Sequence, residues 1–433
     1  VANLISAAKE THVGELFIPE SVRTLLERAE PVDLVVGLLT FNDKSTAPGI
    51  ARALTEGCAR SFPQRRVLVL NFDSGSQDDT PQCIERGLGT DTRLWTIHHP
   101  VLGASFKILS ESGVPGRETA VRLLAAITDK LAAACLLVDG NLKSVDASWS
   151  QLLIDPILDK GFDCVLPWFR RNRYEGTLTN TLLAPFTRAL YGKRIPYHLG
   201  GAYAFSGNMV RSTLLPQPWD EEIGLYGFDG WVTTLAAAEP LQVCQAALGP
   251  RLQQAKPMGE LSTVVAQAVG CMFHMMERYQ ERWESVTGSV AVPTAGTPLG
   301  LGAEVGSINV ERMVNGFRQG LRDLLPVWQL ILPVETFQQV LELGVEETDH
   351  FRFPSGLWVQ VVYDFALAYH DRLLHREHLL KALTPLYLGY TASFVIGTRA
   401  QGVEQVEQEL TRLSEQFETM KPYVVQRWRW HDA

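Results

Sequence analysis

The sequence predicts an α/β fold, a mostly parallel sheet covered by helices, followed by a mainly helical C-terminal region. Three observations carry this expectation. Short runs such as DLVVGLLTF (Asp33–Phe41), RRVLVLNFD (Arg65–Asp73) and CLLVDG (Cys135–Gly140) are almost continuously apolar, as strands buried on both faces are. They alternate with helix-periodic stretches, and β–α–β–α alternation implies parallel strands joined by right-handed crossovers. From about Gly259 the segments become long, Glu- and Arg-rich and helical in period, as in GVEQVEQELTRLSEQFETMK.

The elements follow in order. Residues 1–30 read as a helical lead, with Leu25 and Leu26 among the apolar positions of SVRTLLERAE. The first strand, Asp33–Phe41, passes through the polar loop NDKSTAPG into the helix-like IARALTEGCARSF. The strand ending at Asp73 is followed by SGSQDDT, dense in turn and helix-capping residues. A helix over Arg117–Ala133 leads to the strand that carries Asp139 at its end, and FDCVLPWF (Phe162–Phe169) is a further strand before the basic stretch RRNRYEG. The α/β domain is expected over 31–258 and the helical region over 259–433. Within the latter, residues 287–307, rich in Gly, Pro, Ser and Thr, read as an exposed loop.

Composition bounds the function. The chain has 433 residues, 46% apolar and 20% charged, enough for a sizeable core and ordinary for a globular protein. With 39 Lys and Arg against 48 Asp and Glu the net charge is −9, which disfavours nonspecific binding to nucleic acid or anionic membrane while leaving room for a local basic cleft. The six cysteines show no CxxC spacing and mostly lie in apolar segments, so buried reduced thiols and a cytoplasmic location are expected. No uninterrupted apolar run near 18 residues occurs, so no membrane span or signal peptide is expected, although the chain opens on Val1 rather than Met.

Chemistry concentrates at strand ends. In open α/β sheets ligands bind outside the carboxyl ends of the strands, where Asp73 and Asp139 are expected, so two carboxylates share one rim. A capped turn alone also explains NFDSGSQDDT (Asn71–Thr80). Paired with LLVDGNLKS (Leu136–Ser144), about 65 residues later, it resembles the two signatures of nucleotide-sugar glycosyltransferases of the GT-A fold. The resemblance implies a Rossmann-like GT-A domain in which Asp73 contacts the base or ribose. It also implies that Asp139 heads the D-x-D motif that holds a divalent metal, Mg²⁺ or Mn²⁺, on the donor diphosphate.

Other segments extend the resemblance. LLTFNDKSTAPG (Leu38–Gly49) looks like the first strand and nucleotide loop, with Thr40, Asn42 and Asp43 where the family holds the base. GVPGRETA (Gly113–Ala120) looks like the glycine-and-basic segment before the metal strand, which implies a phosphate or ribose role for Gly116 and Arg117, with Lys107 and Lys143 as further basic candidates. The run Arg170–Asn208 resembles the acceptor-side segment of a bacterial group related to glucosyl- and mannosyl-3-phosphoglycerate synthases and mannosylglycerate and glucosylglycerate synthases. By that resemblance Arg171, Arg173 and Arg188, with Lys193 and Arg194, hold an anionic acceptor, and Gly200 and Gly201 allow a close backbone approach. A solvated charged face explains any one of these basic residues equally well. GLYGFDGWV places Asp229 where the family keeps the acid facing the acceptor, and an N-cap role for a helix over 230–238 is compatible with that.

Two positions depart from the family's metal pattern. The motif reads D-G-N, with Asn141 at its third position, and Gln253 stands where related enzymes carry a His, so weak metal binding is expected. The histidines His98 and His99 at a strand end, and His274, His370, His375 and His378 on helices, do not replace it. Packing helices explain the polar residues Tyr363, Asp364, His370, Arg372, Tyr387 and Tyr390 equally well as a functional role does, and no chemistry is assigned to them.

The resemblance implies transfer of a hexose, glucose or mannose, from a nucleoside diphosphate sugar to a small anionic hydroxylated acceptor such as glycerate or 3-phosphoglycerate. It further implies retention of configuration, the chemistry of a compatible-solute enzyme, and leaves a homodimer open. The alternative is a noncatalytic sugar-nucleotide sensor or scaffold with a degenerate metal site. A nucleotidyltransferase is the weaker third reading, because LLTFNDKSTAPG lacks a glycine- and arginine-rich phosphate loop.

Overall fold

The computed structural model describes residues 18–89, 92–98, 116–216, 227–254, 260–302 and 308–431. Contacts divide the chain into two compact units, one made of residues 1–165 and 201–228, the other of 166–200 and 229–433.

The first unit is the α/β sheet that the apolar runs predict. Its parallel strands are β1 (Leu34–Thr40), β2 (Val67–Asp73), β3 (Leu94–His98) and β4 (Ala134–Asp139). β1 lies between β2 and β4, and β3 pairs with the outer edge of β2. Strand β7 (Ala202–Ser206) runs antiparallel to β4, and its far edge takes Cys164 and Val165, the first residues of β5 (Cys164–Arg170). Every residue of β1 and of β4 is buried, which accounts for their unbroken apolar character. Fully burying one such Leu or Val side chain contributes about 1.5–3 kcal/mol.

Helices α1 (Glu20–Arg28), α2 (Ala47–Ser61), α3 (Thr80–Leu88), α4 (Arg117–Leu131) and α5 (Ser148–Leu158) belong to this unit. Pro48 in the first turn of α2 fixes the backbone where no amide partner is needed. Gly57 brings α2 against α5, because a β-carbon there would lie 2.2 Å from the Ala147 carbonyl oxygen; Ser150 Oγ donates to the Leu54 carbonyl at 2.8 Å across the same contact. α4 follows Gly116, whose φ of 65° lets the chain turn into the helix, and buries Leu123, Leu124, Ile127 and Leu131.

The second unit is mostly helical. A π-helical turn (Thr179–Leu183) runs into α6 (Ala184–Tyr191), and further helices span Phe228–Ala238, Leu261–Arg278, Val310–Asp323, Ser355–His370, Thr384–Thr398 and Val403–His431. The helix read over 230–238 begins at Phe228, so Asp229 lies in its first turn and not at its cap. Within 287–307 two short strands form, β9 (Val290–Ala291) and β10 (Thr294–Ala295); β9 pairs with β6 (Lys193–Arg194) and β10 with β8 (Val243–Pro250). Two buried indoles donate to backbone: Trp358 Nε1 to the Thr181 carbonyl at 2.9 Å and Trp328 Nε1 to the Ala382 carbonyl at 3.0 Å. Trp358 also stacks on Tyr390 with centroids 5.0 Å apart.

Among the described residues one stretch, Arg376–Thr398, is long and apolar enough to cross a membrane, but 67% of its apolar window is buried within the protein, as in a core helix. All six cysteines are free thiols and five are buried; burial pushes the Cys58 thiol up to about 11 and that of Cys135 to about 12.

Candidate active site

The carboxyl ends of β1, β2 and β4 bring together most of the residues singled out for nucleotide binding. Thr40 pairs in register with Asp73, and Leu39 with Asp139, so the two acids end the strands on either side of β1. Two strand spacings separate β2 from β4, about 10 Å. Both carboxylates are buried, each 1% exposed.

Asp73 organises the loop that follows it. Its Oδ2 accepts from the amides of Gly75 at 3.1 Å and Ser76 at 3.0 Å, and lies 3.3 Å from His98 Nδ1. Thr40 Oγ1 donates to Asn71 Oδ1 at 2.8 Å and approaches Asp73 Oδ1 at 3.3 Å. This array holds the β2 end against β1.

The loop after β1 is tied to the loop after β2 residue by residue. The Asn42 amide donates to Ser76 Oγ at 2.9 Å, the Gln77 amide to Asn42 Oδ1 at 2.8 Å, and the Asp43 amide to Thr80 Oγ1 at 2.9 Å. Asn42 adopts a φ of 56°, a left-handed conformation that Asn tolerates better than most residues. Asp43 is fully buried and its Oδ2 accepts from the Phe41 amide at 3.0 Å. Asp78 accepts from the Lys44 amide at 3.1 Å. Its carboxyl stays below the usual range, because hydrogen bonds from Thr80, the Lys44 amide and the Thr80 amide together outweigh the desolvation that pushes it up.

At β4 the D-G-N segment is closed on both sides. Thr46 Oγ1 donates to the Gly140 carbonyl at 2.5 Å, and the Gly140 amide to the Leu39 carbonyl at 2.7 Å. A β-carbon at Gly140 would lie 2.8 Å from Thr40 Cγ2 and 2.9 Å from the Leu39 oxygen, so only glycine fits between the two flanking residues of the motif. Gly201, with φ 75°, passes over Asp139, whose amide donates to the Gly201 carbonyl at 2.9 Å. Arg117, first residue of α4, forms an ion pair with Asp139 Oδ1, and both side chains are almost wholly buried, 2% and 1% exposed. The Arg117 guanidinium carbon also lies 5.6 Å from the centroid of the Phe228 ring.

Asp139 and Asn141, on either side of Gly140, are buried side chains with oxygen donors, 1% and 2% exposed. That donor set suits Mg²⁺ or Mn²⁺, which use one or two protein carboxylates or amides and complete their shell with substrate phosphate and water. Among the described residues no group of three His, Cys, Asp or Glu is placed to hold a metal. Gln253, the third metal position of the sequence reading, is exposed and follows β8 in the second unit, whereas Asp139 and Asn141 belong to the first.

The residues singled out for the acceptor, other than Gly201, fall in the second unit. Arg171 is buried, its guanidinium 4.0 Å from the Tyr197 ring centroid, and Nη1 donates to Asn180 Oδ1 at 3.3 Å. Burial, with the nearby Arg171 charge, lowers His198 to about 3, so this imidazole is neutral; it lies 2.9 Å from Thr187 Oγ1. Arg173 donates to the Gln401 carbonyl at 2.9 Å. Arg188 forms a bidentate pair with Glu418 at 2.9 and 3.0 Å. Lys193 donates to the carbonyls of Ala236, Glu239 and Leu241, and Arg194 to Ser289. Arg188 and Arg194 line, with Trp168, Asn180, Gln245 and Ser414, a cavity of about 320 Å³. Gly200 is packed on Pro167, whose Cγ a β-carbon would meet at 2.1 Å. Asp229 is buried, 6% exposed.

Sequence reasoning missed several participants: Asn71, Ser76, Thr80 and Thr46, which lock the two loops, and His98, set aside as a strand-end residue. Ser76 and Thr80 were visible as part of a turn-rich segment, but their partners lie 34 and 37 residues away. Lys143 is exposed, while Lys107, His99 and residues 113–115 lie outside the described residues.

No family model matches the chain, and no curated protein does. Among solved structures it is similar to glucosyl-3-phosphoglycerate synthase from Mycobacterium tuberculosis in complex with phosphoglyceric acid, at 18% identity and a TM-score of 0.39, over 57% of this chain and 80% of that one. The same enzyme in complex with Mn²⁺, UDP-glucose and glycerol 3-phosphate matches at 18% identity and a TM-score of 0.38, over 63% of this chain and 88% of that one. A likeness at this level assigns no activity.

Proposed function

We propose that this chain is a GT-A type glycosyltransferase that moves glucose or mannose from a nucleoside diphosphate sugar to a small anionic acceptor such as glycerate or 3-phosphoglycerate, with retention. The observation that supports it most is the rim itself, where Asp73 and Asp139 end β2 and β4 on either side of β1, beside a loop locked by paired hydrogen bonds. This is the place where an open α/β sheet binds its ligand, and it holds the residues that the sequence resemblance assigns to the nucleotide and its phosphates.

In this reading Thr40, Asn42, Asp43 and Asp73 orient the nucleoside. Arg117 and Gly116, at the start of α4, receive the diphosphate, since a guanidinium and a helix N-terminus both attract phosphate. Asp139 and Asn141 would hold a divalent cation, which when bound neutralises the leaving diphosphate. Asp229 faces the acceptor hydroxyl, and Arg171, Arg173 and Arg188 with Gly200 and Gly201 shape the acceptor side. Gln253 remains the proposed third metal position. The rate would rest mainly on stabilising the leaving group. We assign these roles to residues 31–258, preceded by a helical lead over 1–30, with 259–433 as the helical region, and place the protein in the cytoplasm, consistent with its six free thiols.

The test is a transfer assay with UDP- and GDP-linked glucose and mannose against glycerate and 3-phosphoglycerate, with Mg²⁺ or Mn²⁺. Product with one donor and one acceptor is expected, and full activity of Asp139→Ala would sink the assigned role. The engagement of Asp139 by Arg117 favours a second reading, a sugar-nucleotide sensor. Calorimetry that finds nucleotide binding while no acceptor yields turnover would select it.

A further inference from the structure

The ion pair between Arg117 and Asp139 places a cation on the carboxylate that the proposed function reserves for a metal. Both groups are buried, so the pair is little screened by solvent. Arg117 is also the first residue of α4, whose N-terminus adds positive potential at the same spot. A divalent cation arriving alone therefore meets two positive sources and a carboxylate already engaged. A diphosphate meets the opposite: the guanidinium fork and the helix start both attract it.

We infer that Arg117 is an electrostatic latch that makes metal binding follow nucleotide binding. Without nucleotide, Arg117 neutralises Asp139 and keeps the divalent cation out. When a nucleoside diphosphate arrives, its phosphate oxygens accept the Arg117 hydrogen bonds, and Asp139 is released to the cation that the diphosphate also attracts. Binding is ordered, and each ligand raises the affinity of the other by the same factor. Gly201 supplies a fixed wall of this exchange, because its backbone lies so close to the Asp139 carboxylate that a β-carbon there would be 2.5 Å from Oδ2. The inference rests on the glycosyltransferase reading for the identity of the anion, but not for the competition between Arg117 and a metal.

Mn²⁺ binding to the full chain, followed by the loss of the free-ion electron paramagnetic resonance signal, tests it. In the unaltered protein the Mn²⁺ affinity should rise at least tenfold on adding UDP or GDP. Arg117→Gln should bind Mn²⁺ at least tenfold more tightly than the unaltered protein with no nucleotide present, and Asp139→Asn added to it should remove that gain. Equal Mn²⁺ affinity with and without bound UDP or GDP overturns the latch, even if the variants fail to fold. So does an Arg117→Gln protein that folds and binds Mn²⁺ no better than the unaltered one. Failure of the glycosyltransferase reading looks different: neither UDP nor GDP binds, while the nucleotide-free comparison of the two proteins still decides whether Arg117 excludes the metal.

Discussion

A β-carbon on Gly201 would sit 2.5 Å from Oδ2 of Asp139, closer than any tolerated contact. Gly201 also holds a φ of 75°, so a side chain there strains the backbone as well as striking the carboxylate. Gly201→Ala is therefore expected to cost about 1–3 kcal/mol of stability, read by urea denaturation. Nucleotide affinity should fall with it, because Asp139 has to move. An unchanged urea midpoint with unchanged UDP or GDP binding would contradict this account of the glycine.

Asp73 anchors the amides of Gly75 and Ser76 through one oxygen. Asp73→Asn keeps the size but sets an amide NH₂ or a weaker acceptor against those donors. Loss of about 1 kcal/mol of stability is expected. A drop of about tenfold in nucleotide affinity, roughly 1.4 kcal/mol, should accompany it in calorimetry.

Removing one member of a buried ion pair leaves the other charge uncompensated, and the cost is about 3–5 kcal/mol. Asp139→Ala should show that loss through the stranded Arg117 guanidinium. The double variant Arg117→Met with Asp139→Leu should be more stable than the sum of its single changes implies. A double-mutant cycle on urea midpoints measures the difference.

In the second unit Asp364 lies on the helix Ser355–His370, 3% exposed, with its Oδ1 accepting from Tyr423 at 2.5 Å. Burial raises its carboxyl to about 7, against the pull of the Tyr423 hydrogen bond and the Arg427 charge. The folded state thus holds this proton more tightly than the unfolded chain does. Its stabilising contribution is fully present below the ordinary carboxylate value and is lost as pH rises through about 7. Compared with Asp364→Asn, the unaltered protein should lose stability between about pH 4 and pH 8, as measured by urea midpoints at both ends. Parallel curves would show that Asp364 does not titrate in this range.

The strands were legible because burial on both faces leaves an unbroken apolar run, and every residue of β1 and β4 is in fact buried. Asp73 and Asp139 were legible for a related reason: a polar residue that abruptly ends such a run marks the strand's open edge. The direction of β7 was not legible, since AYAFS carries the same apolar pattern whether it runs parallel or antiparallel. Nor was the pairing of charges. Arg117 meets an acid 22 residues away and Arg188 one 230 residues away, and nothing in either local sequence names its partner. The left-handed Asn42 had a signal that could have been used, because Asn is among the few residues at ease there.

The route of the chain limits how this protein can be taken apart. It passes from the first unit to the second after Val165, returns at Gly201, and leaves again after Phe228. A cut at 258 therefore releases no self-contained fragment: the N-terminal piece would still carry residues 166–200 and 229–258, torn from the helical unit whose indole Trp358 caps the Thr181 carbonyl. Modular recombination, in which one half is exchanged for that of another protein, would have to graft two separate stretches at once. Whatever the two halves do, they must be inherited together.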